Sequence, residues 1–326
     1  MLTGDLLARK IKRLSNPDSW RAKVKVSDLK KYAMQFTYGH KEILLDYMGF
    51  DRSVYFKGVV QHGVGPTFLL HAEWPTPRIG ILKRAPLLVY SESAAIGLKK
   101  LGVKDVTAIG SPWLYSKLMQ QAANPQANST EKFLVFPRHF TFGFHHNWTE
   151  QEIEKSLRGW LQIAQGHQLG VCLYWIDFLN PSWHVVLKRL GIAIHCAGIS
   201  NTNPVDSESS LRIDFYPSLA RIMNGYTHCI FQSFTSAMFY AADLGKEIGY
   251  FPDEFEAYQF SRNSGLSSEA NWLFKNVPEI IGHLSKSENL LQITRDLLGV
   301  ESLKSPMELN VVSRHSIKKI LPTVSL

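Results

Sequence analysis

The second half of the chain alternates short apolar runs with amphipathic segments, and this alternation constrains the fold more than any other feature of the sequence. The runs interpreted as strands are residues 133–136, 171–176, 192–196 and 228–231. The segments interpreted as the helices between them are residues 149–167, 180–190 and 216–224. Short strands separated by helices form right-handed βαβ units on a parallel sheet. The chain is therefore predicted to be an α/β protein.

The first half shows the same alternation less clearly. Its strand-like runs are residues 54–62, 87–91 and 106–110, and its helical segments are residues 26–48, 93–101 and a helix that starts at Leu114. Residues 124–132 are polar, contain a proline and are the most linker-like segment of the chain. We place a domain boundary there, between Rossmann-like domains of residues 1–125 and 126–326, with the last helices packing back on the first domain. Two such domains are predicted to face a cleft, because ligands of open α/β sheets bind at the carboxyl ends of the strands.

The composition is that of an ordinary globular protein. The 326 residues are 45% hydrophobic and 20% charged. No apolar run approaches the roughly 18 residues that cross a bilayer, and the N-terminus lacks the apolar region of a signal peptide. The cysteines, Cys172, Cys196 and Cys229, lie in apolar runs without metal-ligand spacing, which favours a reducing cytoplasm over a disulfide framework.

Positive charge is concentrated at the N-terminus. The first 31 residues hold nine lysines and arginines against three aspartates, a net +6 of the whole chain's +8. One interpretation is attraction to an anionic membrane surface or to a phosphate-bearing acceptor. The other is a solvated basic face. Binding to nucleic acid is not favoured, because no nucleic-acid-binding motif lies near these residues.

The strand at residues 228–231 is followed by a hydroxyl-rich turn, residues 233–236, and then by an apolar helix. Ser233, Thr235 and Ser236 fall where that helix begins. A helix start offers backbone N–H groups and a positive dipole end, which together bind phosphate. The alternative interpretation is an ordinary hydroxyl cap of the helix.

Two further junctions precede the predicted boundary. His62 with Gly63 lies in the His-Gly loop, residues 61–65, and a histidine there could accept a proton from an attacking hydroxyl. A structural histidine in a turn is the alternative. Gly110 and Ser111 belong to the Gly-Ser-Pro turn, residues 110–112, where the proline begins a helix.

Two junctions follow the boundary. Arg138 and His139 come directly after a strand, and an arginine aimed into the cleft could bind a phosphate in bidentate fashion. The alternative interpretation is a surface arginine beside packed aromatic residues. His145 and His146 are close behind, but no acidic or cysteine ligand accompanies them, so a metal site is not predicted. His195 ends another strand and would either reach the cleft or be a satisfied core histidine. No P-loop, GxGxxG, nucleophile-elbow or zinc-ligand motif is present.

Taken in order along residues 55–252, these junctions resemble those of bacterial glycosyltransferases of the two-Rossmann GT-B architecture. The likeness is to the CDP-glycerol glycerophosphotransferase-like group and to capsule and lipopolysaccharide sugar transferases. The matching elements are His62-Gly63, Gly110-Ser111-Pro112, Pro137-Arg138, and the hydroxyl-rich turn with its helix ending in Leu244-Gly245-Lys246. The chain departs from that group in three ways. The hydroxyl-rich turn lacks an acidic residue, Val64 stands where a threonine is usual, and Arg138 is one position closer to its proline.

The resemblance implies roles for these residues. His62 would be the general base or transition-state stabiliser, and Arg138 would stabilise the departing nucleotide. Donor-binding residues would be Gly63, Gly110, Ser111, His139, His195, Ser233, Thr235 and Ser236. Fixed positive dipoles at an anionic leaving group lower the barrier without a metal or another cofactor.

The function implied is transfer of a sugar or polyol phosphate from a nucleotide-activated donor, CMP- or CDP-linked, to a growing surface polysaccharide. The acceptor would be lipid-linked or a polysaccharide, and the enzyme would be cytoplasmic with its basic N-terminus on the inner membrane. No nucleic-acid partner is implied. Two alternatives stay open: a sugar-nucleotide epimerase or hydrolase on the same scaffold, and a non-catalytic protein of polysaccharide assembly.

Overall fold

The structure, a computed structural model, describes residues 38–52, 54–56, 58–61, 63–65, 86–120, 131–138, 148–198, 215–252, 272–273, 275–313 and 317–318. Three sheets are formed by these residues: one of five strands, one of three and one of two. The strands are β1 (Tyr55–Phe56), β2 (Val59–Val60), β3 (Leu87–Val89), β4 (Val106–Ala108), β5 (Lys132–Phe136), β6 (Gln168–Cys172), β7 (Ala193–His195), β8 (His228–Phe231), β9 (Glu247–Tyr250) and β10 (Ile317–Lys318).

The five-stranded sheet has the doubly wound order. Its strands lie as β7-β6-β5-β8-β9, and all neighbours are parallel. The first strand along the chain, β5, is therefore central, and the direction of winding reverses between β5 and β8. A reversal of this kind is the topological switch point at which open α/β sheets bind ligands. The prediction of an α/β fold with a parallel sheet is confirmed.

Helices cover both faces of this sheet. Along the described part of the chain, the α-helices are α1 (His40–Tyr47), α2 (Glu92–Lys100), α3 (Pro112–Gln120), α4 (Glu150–Ala164), α5 (Trp175–Phe178), α6 (Pro181–Arg189), α7 (Phe215–Asn224), α8 (Ser236–Asp243), α9 (Glu288–Leu298) and α10 (Pro306–Ser313). Alternate residues of β5 enter different cores: Val135 packs with α4 and α6, whereas Leu134 packs with α7 and α8. Side chains of a strand alternate between its faces, so a strand covered by helices on both sides is apolar throughout.

Local signals in the sequence explain where several helices begin. Thr149 and Glu152 form the predicted capping box of α4, each side chain bonded to the other residue's backbone N–H. Asn180 caps α6 by accepting from the Ser182 N–H, with Pro181 in the first turn. These helix starts were correctly predicted.

The three-stranded sheet has the order β2-β3-β4 and is also parallel. One of its faces packs on α2, through a cluster that includes Val59, Val89 and Leu98. The other face contributes Val60 and Leu88 to the same core that holds α7 and α8. The two parallel sheets therefore share one hydrophobic core along this face.

Two predicted strands are wrong in extent. Residues 54–62 form two strands rather than one, because β1 pairs antiparallel with β10 while β2 joins the parallel sheet. Residues 171–176 are not one strand either, since β6 ends at Cys172 and α5 starts at Trp175. A short apolar run does not distinguish a buried strand from a buried helix.

The C-terminal part of the chain returns to the first half. Helix α9 packs against α8 and also contacts α2. It ends at Gly299, whose positive φ of 70° turns the chain into a 3-10 helix, Val300–Ser302. The predicted linker lies largely outside the described residues, so the domain boundary stays a prediction. Among the described residues, no helix is long and apolar enough to cross a membrane.

Candidate functional site

The switch point is bordered by the residues that follow β5 and β8. Arg138 comes two residues after β5, and Gln232 comes directly after β8. The Arg138 backbone N–H donates to Gln232 Oε1 at 3.3 Å, so the two strand ends are tied together. Both residues are largely enclosed, with exposed fractions of 8% and 5%. The backbone of Arg138 is thus placed at the position where doubly wound sheets bind ligands.

Arg138 has an aromatic and an acidic neighbour. Its guanidinium carbon lies 5.9 Å from the centroid of the Trp148 ring, within the range of a cation–π interaction. Asp177, on α5 after β6, is buried, and burial raises the pKa of its carboxyl to about 7, although the charge of Arg138 and the Trp148 side chain both lower it. A carboxyl that titrates near neutrality beside a buried arginine is typical of functional sites.

Sequence reasoning missed Asp177 and Trp148. Asp177 is the single acidic residue between residues 168 and 190. A carboxylate inside such an apolar segment costs free energy to bury, which is a signal that the sequence alone could have supplied. Its closeness to Arg138 could not be read from the sequence, because the two residues are on different strand–helix connections.

The hydroxyl-rich turn is partly open. Ser233, Thr235 and Ser236 are each half-buried, and α8 begins at Ser236. Thr235 occupies the N-cap position with extended backbone angles, but its side chain makes no capping hydrogen bond. Thr235 therefore does not act as an ordinary hydroxyl cap. The start of α8 presents backbone N–H groups and a positive dipole end next to Gln232 and the switch point.

The His-Gly loop reaches this helix start from the other sheet. The Gln61 side chain shapes the loop, since Nε2 donates to the Gly63 carbonyl at 2.6 Å and Oε1 accepts from the Tyr90 N–H at 3.0 Å. The Val64 N–H then donates to Ser236 Oγ at 2.9 Å. The carboxyl ends of β2 and β8 therefore face each other, and Gly63 lies next to the α8 start. His62 and His139 lie outside the described residues.

His195 is placed elsewhere. Its Nε2 is 2.6 Å from the Tyr226 hydroxyl, and a side chain at Gly170 would collide with that hydroxyl. His195 is thus bonded over the face of the sheet, and burial lowers the pKa of its imidazole. The half-buried imidazole of His195 is therefore held by Tyr226.

The Gly-Ser-Pro turn is covered by the returning C-terminal chain. Ser111 is completely enclosed, its N–H donates to the Leu298 carbonyl at 2.8 Å, and its Oγ accepts from the Trp113 N–H at 3.3 Å. Gly110 has a φ of +80°, and a Cβ there would lie 2.9 Å from the Leu303 side chain. The structure therefore brings Gly63, Arg138 and the hydroxyl-rich turn together, but packs Gly110 and Ser111 under residues 298–303.

Within the part of the chain that the structure describes, no group of three or more His, Cys, Asp or Glu residues is arranged to hold a metal ion. The three cysteines form no disulfide with one another, and Cys172 and Cys229 are buried. The polar groups at the switch point are an arginine, an amide, hydroxyls and one carboxyl. Such a set suits an anionic ligand.

No family model matches the chain, and no curated protein matches its sequence. Among solved structures, the UDP-GlcNAc 2-epimerase of Neisseria meningitidis, bound to UDP-GlcNAc, superposes with a TM-score of 0.38 at 12% identity, over 79% of this chain and 67% of that one. S. aureus MnaA with UDP gives a TM-score of 0.41 at 15% identity, with the same coverage. A mutant of S. aureus TarM, with Fondaparinux, alpha-GlcNAc-glycerol and UDP, gives 0.28 at 10% identity, over 72% of this chain and 41% of its own. At these scores and identities, the superpositions assign no activity to this chain.

Proposed function

We propose that the protein is a glycosyltransferase that binds a nucleotide-activated donor at the switch point between β5 and β8. One observation carries the proposal. The two strands that border the switch point end in Arg138 and in the hydroxyl-rich turn, and the Val64 N–H of the facing sheet is bonded to that same turn. A donor phosphate bound there would lie beside a loop from the opposite sheet, where an acceptor can approach.

The chemistry of transfer fits these groups. The departing nucleotide carries an anionic phosphate, so the arginine and the start of α8 would stabilise the charge that develops as the bond breaks. Ser233 and Thr235 would donate hydrogen bonds to phosphate oxygens. The electrostatic work is then done by the protein's own residues.

Asp177 would tune the affinity of Arg138 for the donor. When its carboxyl is ionised, it offsets the charge of Arg138 and repels a phosphate. When the carboxyl is protonated, that repulsion is removed. Because burial raises the pKa of Asp177 to about 7, this change falls within the physiological range.

The acceptor side of the proposal rests on the resemblance of motifs. His62, next to Gly63, would accept the proton of the attacking hydroxyl, and residues 1–125 would hold the acceptor. The donor would be CMP- or CDP-linked, the acceptor lipid-linked or a polysaccharide, and the basic N-terminus would rest on an anionic membrane. The proposal gives no role to His195, Gly110 or Ser111, since Ser111 is bonded to residue 298, Gly110 lies against residue 303, and His195 is bonded to Tyr226.

The first experiment is a thermal-shift screen with CMP, CDP, UDP and GDP, followed by product analysis with the corresponding donor sugars. A ligand that binds only the folded state raises its stability, so one nucleotide is expected to raise the unfolding temperature by several degrees at 1 mM. Transfer should then require an added acceptor. Conversion of the sugar nucleotide without acceptor would replace the proposal by an epimerase or hydrolase, and no binding of any nucleotide would overturn it.

A further inference from the structure

The last residue of α8 makes a polar contact with the first half of the protein. Asp243 Oδ2 accepts from Trp113 Nε1 at 2.7 Å and from Lys117 Nζ at 2.6 Å. Both donors are on α3, one helical turn apart, so a single carboxylate oxygen joins the two helices. We call Asp243, Trp113 and Lys117 the carboxylate clamp.

The carboxylate clamp is largely shielded from solvent. Trp113 is fully enclosed, and the side chains of Asp243 and Lys117 are 13% and 35% exposed. The Trp113 ring also stacks on Tyr240 of α8, with the ring centroids 4.6 Å apart. Hydrogen bonds to a charged group are strong in such a setting, and removing one partner leaves the other unsatisfied. The contact therefore holds the end of α8 against α3.

Asp243 occupies a position that its own helix disfavours. The C-terminal end of a helix carries the negative end of the dipole, so a carboxylate there lowers the stability of the helix. The last turn of α8 contains no basic residue that would offset this charge. The charge is offset instead by Lys117, which belongs to the other half of the chain. A residue that breaks a local rule in this way indicates that the contact between the halves is what it stabilises.

The other end of α8 carries the hydroxyl-rich turn and is also bonded to the first half. The Val64 N–H donates to Ser236 Oγ at 2.9 Å. Ser236 and Asp243 are the first and last residues of α8, so the two contacts are about 10 Å apart along the helix axis. Two separated contacts resist tilting of α8 against the first half, which neither contact could do alone.

We propose that Asp243 is a positioning residue for transfer, which sets the distance between the hydroxyl-rich turn and the His-Gly loop through α8. The residues that would hold the donor, Arg138, Ser233 and Thr235, all belong to the second half. The acceptor side belongs to the first half. Loosening the carboxylate clamp should therefore leave the donor bound but displace the acceptor side from it. The inference rests on the proposed function for the reaction that is positioned, whereas the contact itself can be tested without substrate.

The substrate-free test is amide hydrogen exchange at Val64, because its bond to Ser236 reports the contact at the far end of α8. In Asp243→Leu both bonds of the clamp are lost and α8 is free to tilt, so exchange of the Val64 amide is expected to accelerate about tenfold. The internal control is the Gln61 amide, which donates to the Leu88 carbonyl at 2.8 Å and should exchange as before. Equal acceleration at the two amides would mean a general loss of stability and would overturn the inference.

Two further variants complete this test. Asp243→Asn keeps the shape of the side chain and an oxygen acceptor for Trp113, but loses the charge opposite Lys117. It should accelerate Val64 exchange about threefold, and it remains available if the leucine variant does not fold. Glu154→Leu is the matched control, since Glu154 pairs with Arg189 inside the second half. Its loss should leave Val64 exchange unchanged.

The test with substrate is the division between kcat and the donor dissociation constant. Asp243→Leu is expected to lower kcat about tenfold while donor affinity stays within about twofold, since misplacing a reacting group costs rate more than binding. Glu154→Leu should change neither quantity. Unchanged kcat or unchanged Val64 exchange in both Asp243 variants would overturn the inference. Faster Val64 exchange in a protein that binds no nucleotide would support the carboxylate clamp as the link between the halves and reject the proposed function.

Discussion

The Gly-Ser-Pro turn and the hydroxyl-rich turn have similar local sequence patterns but differ in solvent exposure. Each follows a parallel strand and begins a helix, and each carries small or hydroxyl-bearing residues. In the first turn, Ser111 is enclosed and its N–H is satisfied by Leu298. In the second, Ser233 and Thr235 are half-buried, and Thr235 makes no capping bond. In the part of the chain that the structure describes, a later segment covers the first turn and leaves the second partly exposed, and such exposure is what a ligand would need.

The segment that covers the Gly-Ser-Pro turn, residues 298–303, can be disturbed by a substitution. Residues 298–303 lie over the Gly-Ser-Pro turn and are bonded to it by the Ser111 N–H, and Gly299 packs so close to the Tyr90 carbonyl that a Cβ there would overlap it. No segment of the described chain makes an equivalent contact with Ser233 or Thr235. Substitutions at the covered turn or its cover should therefore lower stability. Substitutions at the hydroxyl-rich turn or at Arg138 should lower ligand affinity.

The largest effect is expected from Gly299→Ala, which should destabilise the protein by at least ~3 kcal/mol. The new Cβ would overlap the Tyr90 carbonyl oxygen, and the φ of +70° is itself unfavourable for alanine. Gly102→Ala is the matched control, because Gly102 has a φ of +86° but nothing within 4 Å of the new Cβ. That control should cost about 1–2 kcal/mol in urea unfolding. Equal losses of unfolding free energy in the two variants would mean that Gly299 does not lie against the Tyr90 carbonyl.

The second largest effect is expected on nucleotide affinity, from substitutions of Arg138 at the switch point. Arg138→Met should weaken nucleotide binding about 100-fold, because a desolvated charge that meets a phosphate is removed. Arg138→Lys should recover only part of the affinity, since lysine lacks the bidentate geometry. Arg189→Met is the control: Arg189 is exposed, pairs with Glu154 and is on α6. Titration calorimetry measures all three, and an unchanged affinity of the Arg138→Met variant would remove the donor from the switch point.

A smaller effect compares hydroxyls in the two turns directly. The double variant Ser233→Ala/Thr235→Ala should bind nucleotide about tenfold more weakly, through loss of hydrogen bonds to a charged ligand, with little change in stability. Ser111→Ala should do the reverse: about 1 kcal/mol of stability is lost with the Trp113 bond, and affinity is unchanged. If Ser111→Ala weakened binding as much as the double variant, the two turns would not differ as the structure indicates.

The smallest effect is a pH dependence of a few fold. Nucleotide affinity should fall as the pH rises through about 7, because ionised Asp177 opposes a phosphate at Arg138. The stability contribution of Asp177 has the same sign. Its folded pKa lies above its ordinary value, so the contribution is complete below about pH 4 and is lost as the pH rises through about 7. Asp177→Asn should flatten both profiles, and an unaltered affinity profile in that variant would exclude Asp177 as the titrating group.

Much of the five-stranded sheet could be predicted from the sequence. Thr149 with Glu152 and Asn180 with Pro181 mark helix starts by contacts within a few residues, and apolar runs marked β5, β7 and β8. What the sequence could not supply are contacts between distant segments. Val64 and Ser236 are 172 positions apart, and no local pattern indicates that one donates to the other.

The candidate site was predicted unevenly for the same reason. Arg138 and the hydroxyl-rich turn belong to the strand ends that border the switch point, so the strand order suffices to place them together. Ser111 looked equivalent, because residues 298–303, which cover it, come almost 190 residues later in the chain. The sequence left open whether His195 reaches the cleft, because its hydrogen-bond partner, Tyr226, is on a different part of the chain.

The pairing of β1 with β10 has a consequence for how the protein is made. Tyr55 lies opposite Lys318, so a strand near the start of the chain finds its partner only when almost all of the chain has been synthesised. Closing so long a loop also carries an entropic cost. The strands β5 to β9, in contrast, are consecutive and can pair on the ribosome as soon as they emerge. We therefore expect the half of the protein that is translated first to be the last to reach its native structure.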